Sequence, residues 1–175
     1  MPTPERTTLA DIVGAGREIL ETGGPSGLTM QAVAERVGVR APSLYKRVRD
    51  RDALLTLVVE ASARDLADRL ERSDQSLRSI AHTYRDFARR HPEGFRLMFA
   101  IDGAQDEMAR AAVPLLNATA ELVGADAALD AARLLTAWAT GFVNMENSGS
   151  FRFDGDIEQA FEYGLDRLEA GLRSG

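Results

Sequence analysis

The sequence predicts an all-α fold: a head of three short helices, a long fourth helix, and a C-terminal helical bundle, about nine helices in all. Three observations predict it. Apolar residues recur at helical spacing almost throughout the chain. The period-two alternation of branched and aromatic residues that marks strands is nearly absent. Glycines, prolines and cap residues fall between the apolar stripes, where helices end. With 175 residues, 45% of them hydrophobic and 27% charged, the chain can fold without a staple.

Leu9, Ile12, Val13, Gly16, Ile19 and Leu20 form the stripe of the first helix, with Thr7 or Thr8 placed to cap it. Gly23, Gly24, Pro25, Ser26 and Gly27 then break the chain. Thr29 caps a short second helix whose stripe is Met30, Val33, Ala34 and Val37, and Gly38 stops it as a left-handed residue. Pro42 opens a third short helix at a position where its missing N–H costs nothing. That helix is expected to run to about Arg47. Asp50 can cap the long fourth helix, which carries Leu54, Leu55, Val58, Val59, Leu66 and Leu70.

Leu77, Ile80, Ala81, Tyr84, Phe87 and Ala88 make the next stripe, ended by His91-Pro92. A short helix holding Phe95, Leu97, Met98, Phe99 and Ile101 follows. Another runs from about Asp106 to Val123, with Pro114 kinking it or starting a second segment, and Gly124 closes it. A long helix covers about Asp126 to Asn147. After a loop from Ser148 to Gly155, Asp156 and Gln159 stand at capping-box spacing for a last helix through Leu172. The short helices before residue 52 and the long ones after it give two modules, 1–52 and 53–175. No flexible linker separates them, so the fourth helix joins them rigidly.

Composition excludes several functions. Without cysteine there is no disulfide, no thiolate chemistry and no Cys-ligated zinc or iron–sulfur cluster. The longest uncharged run, Leu134 to Met145, is shorter than the about 20 apolar residues that span a bilayer. The first residues have no apolar core behind them, so no signal peptide is expected and a cytoplasmic location is. His82 and His91 stand apart, with no Ser or carboxylate partner at a recognised spacing, so neither an enzyme nor a metal site nor a cofactor is expected. Gly14-Ala15-Gly16 lacks the third glycine of a dinucleotide fingerprint, and Gly23 to Gly27 lacks the Lys-Ser/Thr of a phosphate loop.

The net charge is −6, which does not suggest a polyanion binder. The basic character is focal, however. Arg36, Arg40, Lys46, Arg47, Arg49 and Arg51 face one acid, Asp50, within residues 36–51. This cluster coincides with a helix, a glycine turn and a second helix over Thr29 to Arg47. Ala34, Gly38, Val39 and Leu44 have the spacing of a helix-turn-helix: a small residue for close approach, a sharp turn, and two junction residues for the core. Such a unit lays its later helix in the major groove, and clustered Arg and Lys neutralise phosphates.

Residues 7 to 58 resemble the DNA-binding domain of TetR-family transcriptional regulators. The resemblance is carried by Leu28-Thr29-Met30, then Ala32-Val33-Ala34-Glu35-Arg36-Val37-Gly38-Val39, Pro42-Ser43-Leu44-Tyr45-Lys46 and Arg51-Asp52-Ala53-Leu54-Leu55. It implies a role for each matching position. Thr29, Tyr45, Lys46 and Arg51 contact phosphate, Arg51 in place of the family's usual lysine. Arg40, Ala41 and Ser43 face the bases, with Arg40 able to read a guanine bidentately. Val48 stands where the family commonly has Phe.

Residues 76 to 172 are similar to the ligand-binding and dimerisation domain of a subgroup named for a Trp-His-Gly element. The match covers His91-Pro92-Glu93-Gly94-Phe95-Arg96-Leu97-Met98-Phe99, then Gly141-Phe142-Val143-Asn144-Met145-Glu146, Gly149 and Phe151. Thr140 replaces the subgroup's His. Tyr84, Phe87, Phe95, Met98, Phe99, Trp138, Phe142 and Met145 are the candidates to line a pocket for a mostly apolar effector with one polar end. Thr140, Asn144, Arg133 and Tyr84 are its candidate polar contacts. Apolar faces on the last two long helices exceed the needs of one bundle: Leu134, Leu135, Trp138 and Phe142, then Ile157, Phe161, Leu165, Leu168 and Leu172. Paired with their symmetry mates they give a four-helix homodimer interface, with about half of these residues buried within one chain instead.

The expected function is a ligand-responsive repressor that leaves a palindromic double-stranded operator when the effector binds. Activation in place of repression stays open. So does a helical adaptor that kept the fold and lost specific DNA binding.

Overall fold

A computed structural model describes residues 7–174 of the chain. Among the described residues it forms nine α-helices and no strand: α1 (Leu9–Gly27), α2 (Met30–Arg36), α3 (Ala41–Leu44), α4 (Arg51–Glu71), α5 (Leu77–Arg90), α6 (Pro92–Met98), α7 (Gln105–Val123), α8 (Ala125–Asn147) and α9 (Ile157–Arg173). No helix among them is long and apolar enough to cross a membrane.

Two compact units result. The first closes at Asp65 and also takes in His91–Met108; the second takes Leu66–Arg90 and resumes at Ala109. In the first unit Ile12 and Leu20 of α1, Val33 of α2, Leu44, Val48, and Leu54 and Val58 of α4 are buried to 2% exposure or less. Burying such side chains is worth roughly 1.5–3 kcal/mol each, and this small core holds the head. In the second unit Leu77 and Ala81 of α5, Leu135 of α8, and Phe161 and Leu165 of α9 form the centre. Leu115, Leu122, Trp138, Phe142, Leu168 and Leu172 pack around it.

The caps are local and match the sequence reading. Thr8 makes a full capping box with Asp11, accepting its N–H at 3.1 Å while its own N–H donates to the Asp11 carboxylate at 2.7 Å. Asp50 accepts the Ala53 N–H at 2.8 Å and Asp156 accepts that of Glu158 at 2.8 Å. The glycine break falls inside α1 as a kink at Gly24, φ 63°, with one more helical turn following to Gly27.

Three elements differ from the expectation. The third helix ends at Leu44, short of Arg47. Arg47 and Val48 both donate to the Leu44 carbonyl, at 2.8 and 2.9 Å, as the chain turns inward to bury Val48. α6 starts at Pro92, ahead of Phe95, because proline suits the first turn of a helix. Of the two alternatives at Pro114, a second segment falls away, since α7 is one helix through it to Val123.

Candidate nucleic-acid interface

The junction of α2 and α3 is built by hydrogen bonds that the sequence specifies. The Thr29 hydroxyl accepts the Ala32 N–H at 3.1 Å and starts α2. At the far end Gly38 adopts φ 72°, which lets Val39 donate to Ala34 O at 2.9 Å and closes the helix. Val39 then leads into Arg40, the N-cap of α3, and the Ser43 N–H donates to Arg40 O at 2.8 Å. Leu44, 1% exposed, anchors α3 from below.

That anchoring leaves the opposite side of α3, with the turn that follows it, to solvent. Arg40, Ser43, Tyr45, Lys46 and Arg47 are exposed, and Ala41 is half-buried. Tyr45 is 55% exposed. Arg40 and Lys46 make no ion pair among the described residues. The neighbouring cations are engaged: Arg36 with Glu18 at 2.7 Å, and Arg49 with Asp50 at 2.6 Å. Asp50 holds its charge because the Ala53 N–H, then Arg49, keep its carboxyl below the ordinary carboxylate range.

Arg51 is placed differently from the rest of the cluster. Its Nε donates to Leu28 O at 2.8 Å and its Nη2 donates to Pro25 O. Pro25 lies in the last turn of α1 and Leu28 just beyond it, so this guanidinium holds the α1–α2 junction against the start of α4. Thr29 is exposed, and its hydroxyl retains a hydrogen to donate beyond its cap bond.

The eight candidate ligand residues do not form one group. Phe95, Met98 and Phe99 lie in the first unit; Tyr84, Phe87, Trp138, Phe142 and Met145 lie in the second. Phe87 and Phe95 are fully buried, whereas Phe99 and Met145 are about half exposed. Tyr84 Oη and Thr140 Oγ1 stand 2.7 Å apart, and burial pushes the Tyr84 phenol up to about 12 against the opposing effect of that hydrogen bond. Trp138 stacks on Phe161 with ring centroids 5.0 Å apart, and Phe142 meets Phe161 edge-on at 5.2 Å. None of the eight lines the open groove of about 500 Å³ bordered by Gln75, Arg78, Leu122 and Glu169.

Of the proposed dimer residues, Leu135, Phe161 and Leu165 are buried within the single chain. Leu134, 48% exposed, faces outward on α8, as do Leu129 and Met145.

Sequence reading missed a charged centre in the second unit. Arg85, 3% exposed, donates from Nε and Nη2 to the two Glu146 carboxylate oxygens, each at 2.9 Å. It also meets Glu158 at 2.9 Å and stands over the Phe161 ring, 4.4 Å from its centroid. Burial works against its charge, and the carboxylates outweigh it, so the guanidinium is held protonated. In sequence it is one arginine among several on an amphipathic helix, and nothing there separates it from its neighbours.

Two family models match the chain. One, described as bacterial regulatory proteins, tetR family, covers residues 5–58. The other, described as tetracyclin repressor-like, C-terminal domain, covers residues 77–168, more than half of the chain. The chain belongs to the tetR family of bacterial regulatory proteins.

Among curated relatives, this TetR-family chain is similar to an HTH-type transcriptional regulator of Mycobacterium bovis, 31% identical over 99 residues, which is 51% of this chain. The matched stretch spans 42% of that relative's length, less than half of it. Among solved structures, one titled as a protein with unknown function from Rhodococcus sp. RHA1 superposes with a TM-score of 0.83 at 21% identity, covering 98% of this chain and all of that one. A TetR variant from Acinetobacter baumannii in complex with minocycline superposes with a TM-score of 0.71 at 24% identity, covering 97% of this chain and 98% of that one. At these identities the two structures establish the shared TetR fold alone.

Proposed function

We propose that the chain is a DNA-binding transcriptional regulator, a repressor that leaves its operator when a small, mostly apolar molecule binds the C-terminal part. The observation that carries this reading is the α3 surface. An acidic chain concentrates its positive charge on a helix-turn-helix. There Arg40 and Lys46 have no acidic partner among the described residues, and Ser43 and Tyr45 stand exposed between them. Arg40, Ala41 and Ser43 face bases in the major groove; Thr29, Tyr45 and Lys46 hold phosphates on either side. Arg51 acts by holding the α1–α2 junction, and its remaining N–H donors reach phosphate at the start of α4.

The functional division falls at residue 52, with 53–175 as the effector and dimerisation part. We assign that part to the Trp-His-Gly subgroup on the residues His91–Phe99 and Gly141–Glu146. Within the second unit the effector candidates are Tyr84, Phe87, Trp138, Phe142 and Met145, and the Tyr84–Thr140 pair supplies the polar end. Two chains pair through α8 and α9, with Leu134 outward, and set two recognition helices about 34–36 Å apart on a palindrome. Effector binding then favours a spacing that no longer fits DNA, at a coupling of about 1–3 kcal/mol. The protein works in the cytoplasm and has no catalytic role.

Selection of genomic DNA fragments by the purified chain tests this reading. A recovered palindrome, bound less tightly as salt rises, supports it. Weak binding without sequence preference leaves the fold standing and puts the adaptor in its place.

A further inference from the structure

We propose that His82, Glu158 and Glu162 form a binding site for a divalent transition ion of the zinc class. The site lies within the second unit and goes beyond the regulator reading, on which it does not depend. His82 is on α5; Glu158 and Glu162 stand one turn apart on the same side of α9. Each residue offers one ligand atom, and the three atoms lie within 4.8 Å of one another. The nearest pair is His82 Nε2 and Glu162 Oε1, 2.8 Å apart.

One imidazole nitrogen with two carboxylate oxygens is a zinc donor set, at about 2.0–2.2 Å per bond. Ligand atoms on a tetrahedral ion of that size stand roughly 3.3 Å from one another. The three ligand atoms, within 4.8 Å of one another, bracket that spacing. Three protein ligands leave a position for water, and His82 and Glu162, 38% and 34% exposed, open the site to solvent.

The surroundings hold the ligands in place. Glu162 turns its other oxygen, Oε2, to Arg78. Glu158 gives Oε1 to Arg85 at 2.9 Å, while its Oε2 lies 3.9 Å from Arg89. The His82 ring stands edge-on to Phe161 with centroids 5.6 Å apart. Metal-binding carboxylates and imidazoles are oriented by outer partners in this way. Glu146, Glu158, Glu162 and Asp166 bring four negative charges against the three positive charges of Arg78, Arg85 and Arg89. The balance favours a cation, and the guanidiniums lower its affinity. Magnesium, which prefers oxygen alone, is a poor occupant. A bound ion ties α5 to α9 beside Arg85, which ties α5 to α8.

The test is calorimetric titration of the full, tag-free, chelator-stripped chain with zinc chloride, with magnesium chloride as control. One saturable zinc site per chain is expected, with a rise in melting temperature that magnesium does not give. His82→Asn and Glu162→Gln each weaken zinc binding about tenfold or more, and His91→Asn leaves it unchanged. Circular dichroism of the zinc-free variants confirms their helix content, and if one fails to fold the other decides. No saturable heat up to millimolar zinc overturns the proposal, as does unchanged binding in the folded variants.

Discussion

Glu21, near the end of α1, caps α6 at Gly94. The Glu21 carboxylate accepts the Gly94 N–H at 2.9 Å and the Glu93 N–H at 3.1 Å. These are first-turn amides of α6, and the N-cap residue itself, His91, makes no side-chain cap bond. A carboxylate at a helix N-terminus also meets the positive end of the helix dipole. Glu21→Ala therefore lowers the stability measured by denaturant unfolding by about 1–2 kcal/mol.

Gly94 is the other half of that relationship. A Cβ added there lies 3.0 Å from Glu21 Oε1 and 3.0 Å from Ser62 Oγ. Neither atom can move freely: Glu21 holds two amides, and Ser62 donates to Val58 O at 3.0 Å. Gly94→Ala is expected to lower the melting temperature. Gly14, also helical, has nothing within 4 Å of an added Cβ, so Gly14→Ala raises stability by about 0.5–1 kcal/mol. Equal effects at the two glycines contradict the close approach.

Arg51 offers a separation of roles. If its guanidinium holds Leu28 O and Pro25 O, Arg51→Ala costs about 1–2 kcal/mol of stability before any DNA is added. Arg51→Lys does not restore it, because an ammonium cannot reproduce the planar fork. Unchanged thermal melting of Arg51→Ala, with weakened DNA binding, assigns Arg51 to phosphate alone.

Removing one partner of the Arg85–Glu146 pair strands a buried charge. Arg85→Met is expected to cost about 3 kcal/mol or more by denaturant unfolding. Adding Glu146→Leu to it recovers part of the loss, since both charges are then gone. A double variant no more stable than the single one rejects the pairing as the source of the effect.

Tyr84 sets the alkaline limit. Its folded value, about 12, lies above the unfolded value of about 10. Its contribution is fully present below pH 10 and is lost as pH rises toward 12. The wild type therefore loses melting temperature across that interval, and Tyr84→Phe loses less. Ultraviolet titration shows one tyrosine ionising late, and that step vanishes in Tyr84→Phe.

What the sequence discloses is what local chemistry decides. Thr8, Thr29, Asp50 and Asp156 cap helices through residues two or three positions away, so their spacing is sufficient. Gly38 marks its turn because its φ of 72° is one that other side chains resist. The end of α3 depends on Val48 entering the core, a tertiary event that helix spacing does not record. The start of α6 draws on Glu21, a remote residue in sequence. One signal for it existed: an acid near the end of α1 runs against that helix's own dipole. The exposed face of α3 was legible because its residues are consecutive. Arg85, Glu146, His82, Glu158 and Glu162 were not, because three helices bring them together.

If the exposed face of α3 and the turn after it bind DNA, operator binding depends on salt through these side chains. The measurement is the dissociation constant for a selected fragment over a range of salt concentrations, for wild type, Lys46→Ala and Arg40→Ala. Wild-type affinity is expected to fall steeply with salt. Lys46→Ala weakens binding and lowers the slope of log K against log salt by about one. Arg40→Ala also weakens binding and relaxes preference at one base pair, at a cost of about 1–3 kcal/mol. Affinity, slope and preference unchanged in both variants would mean that this surface does not bind DNA.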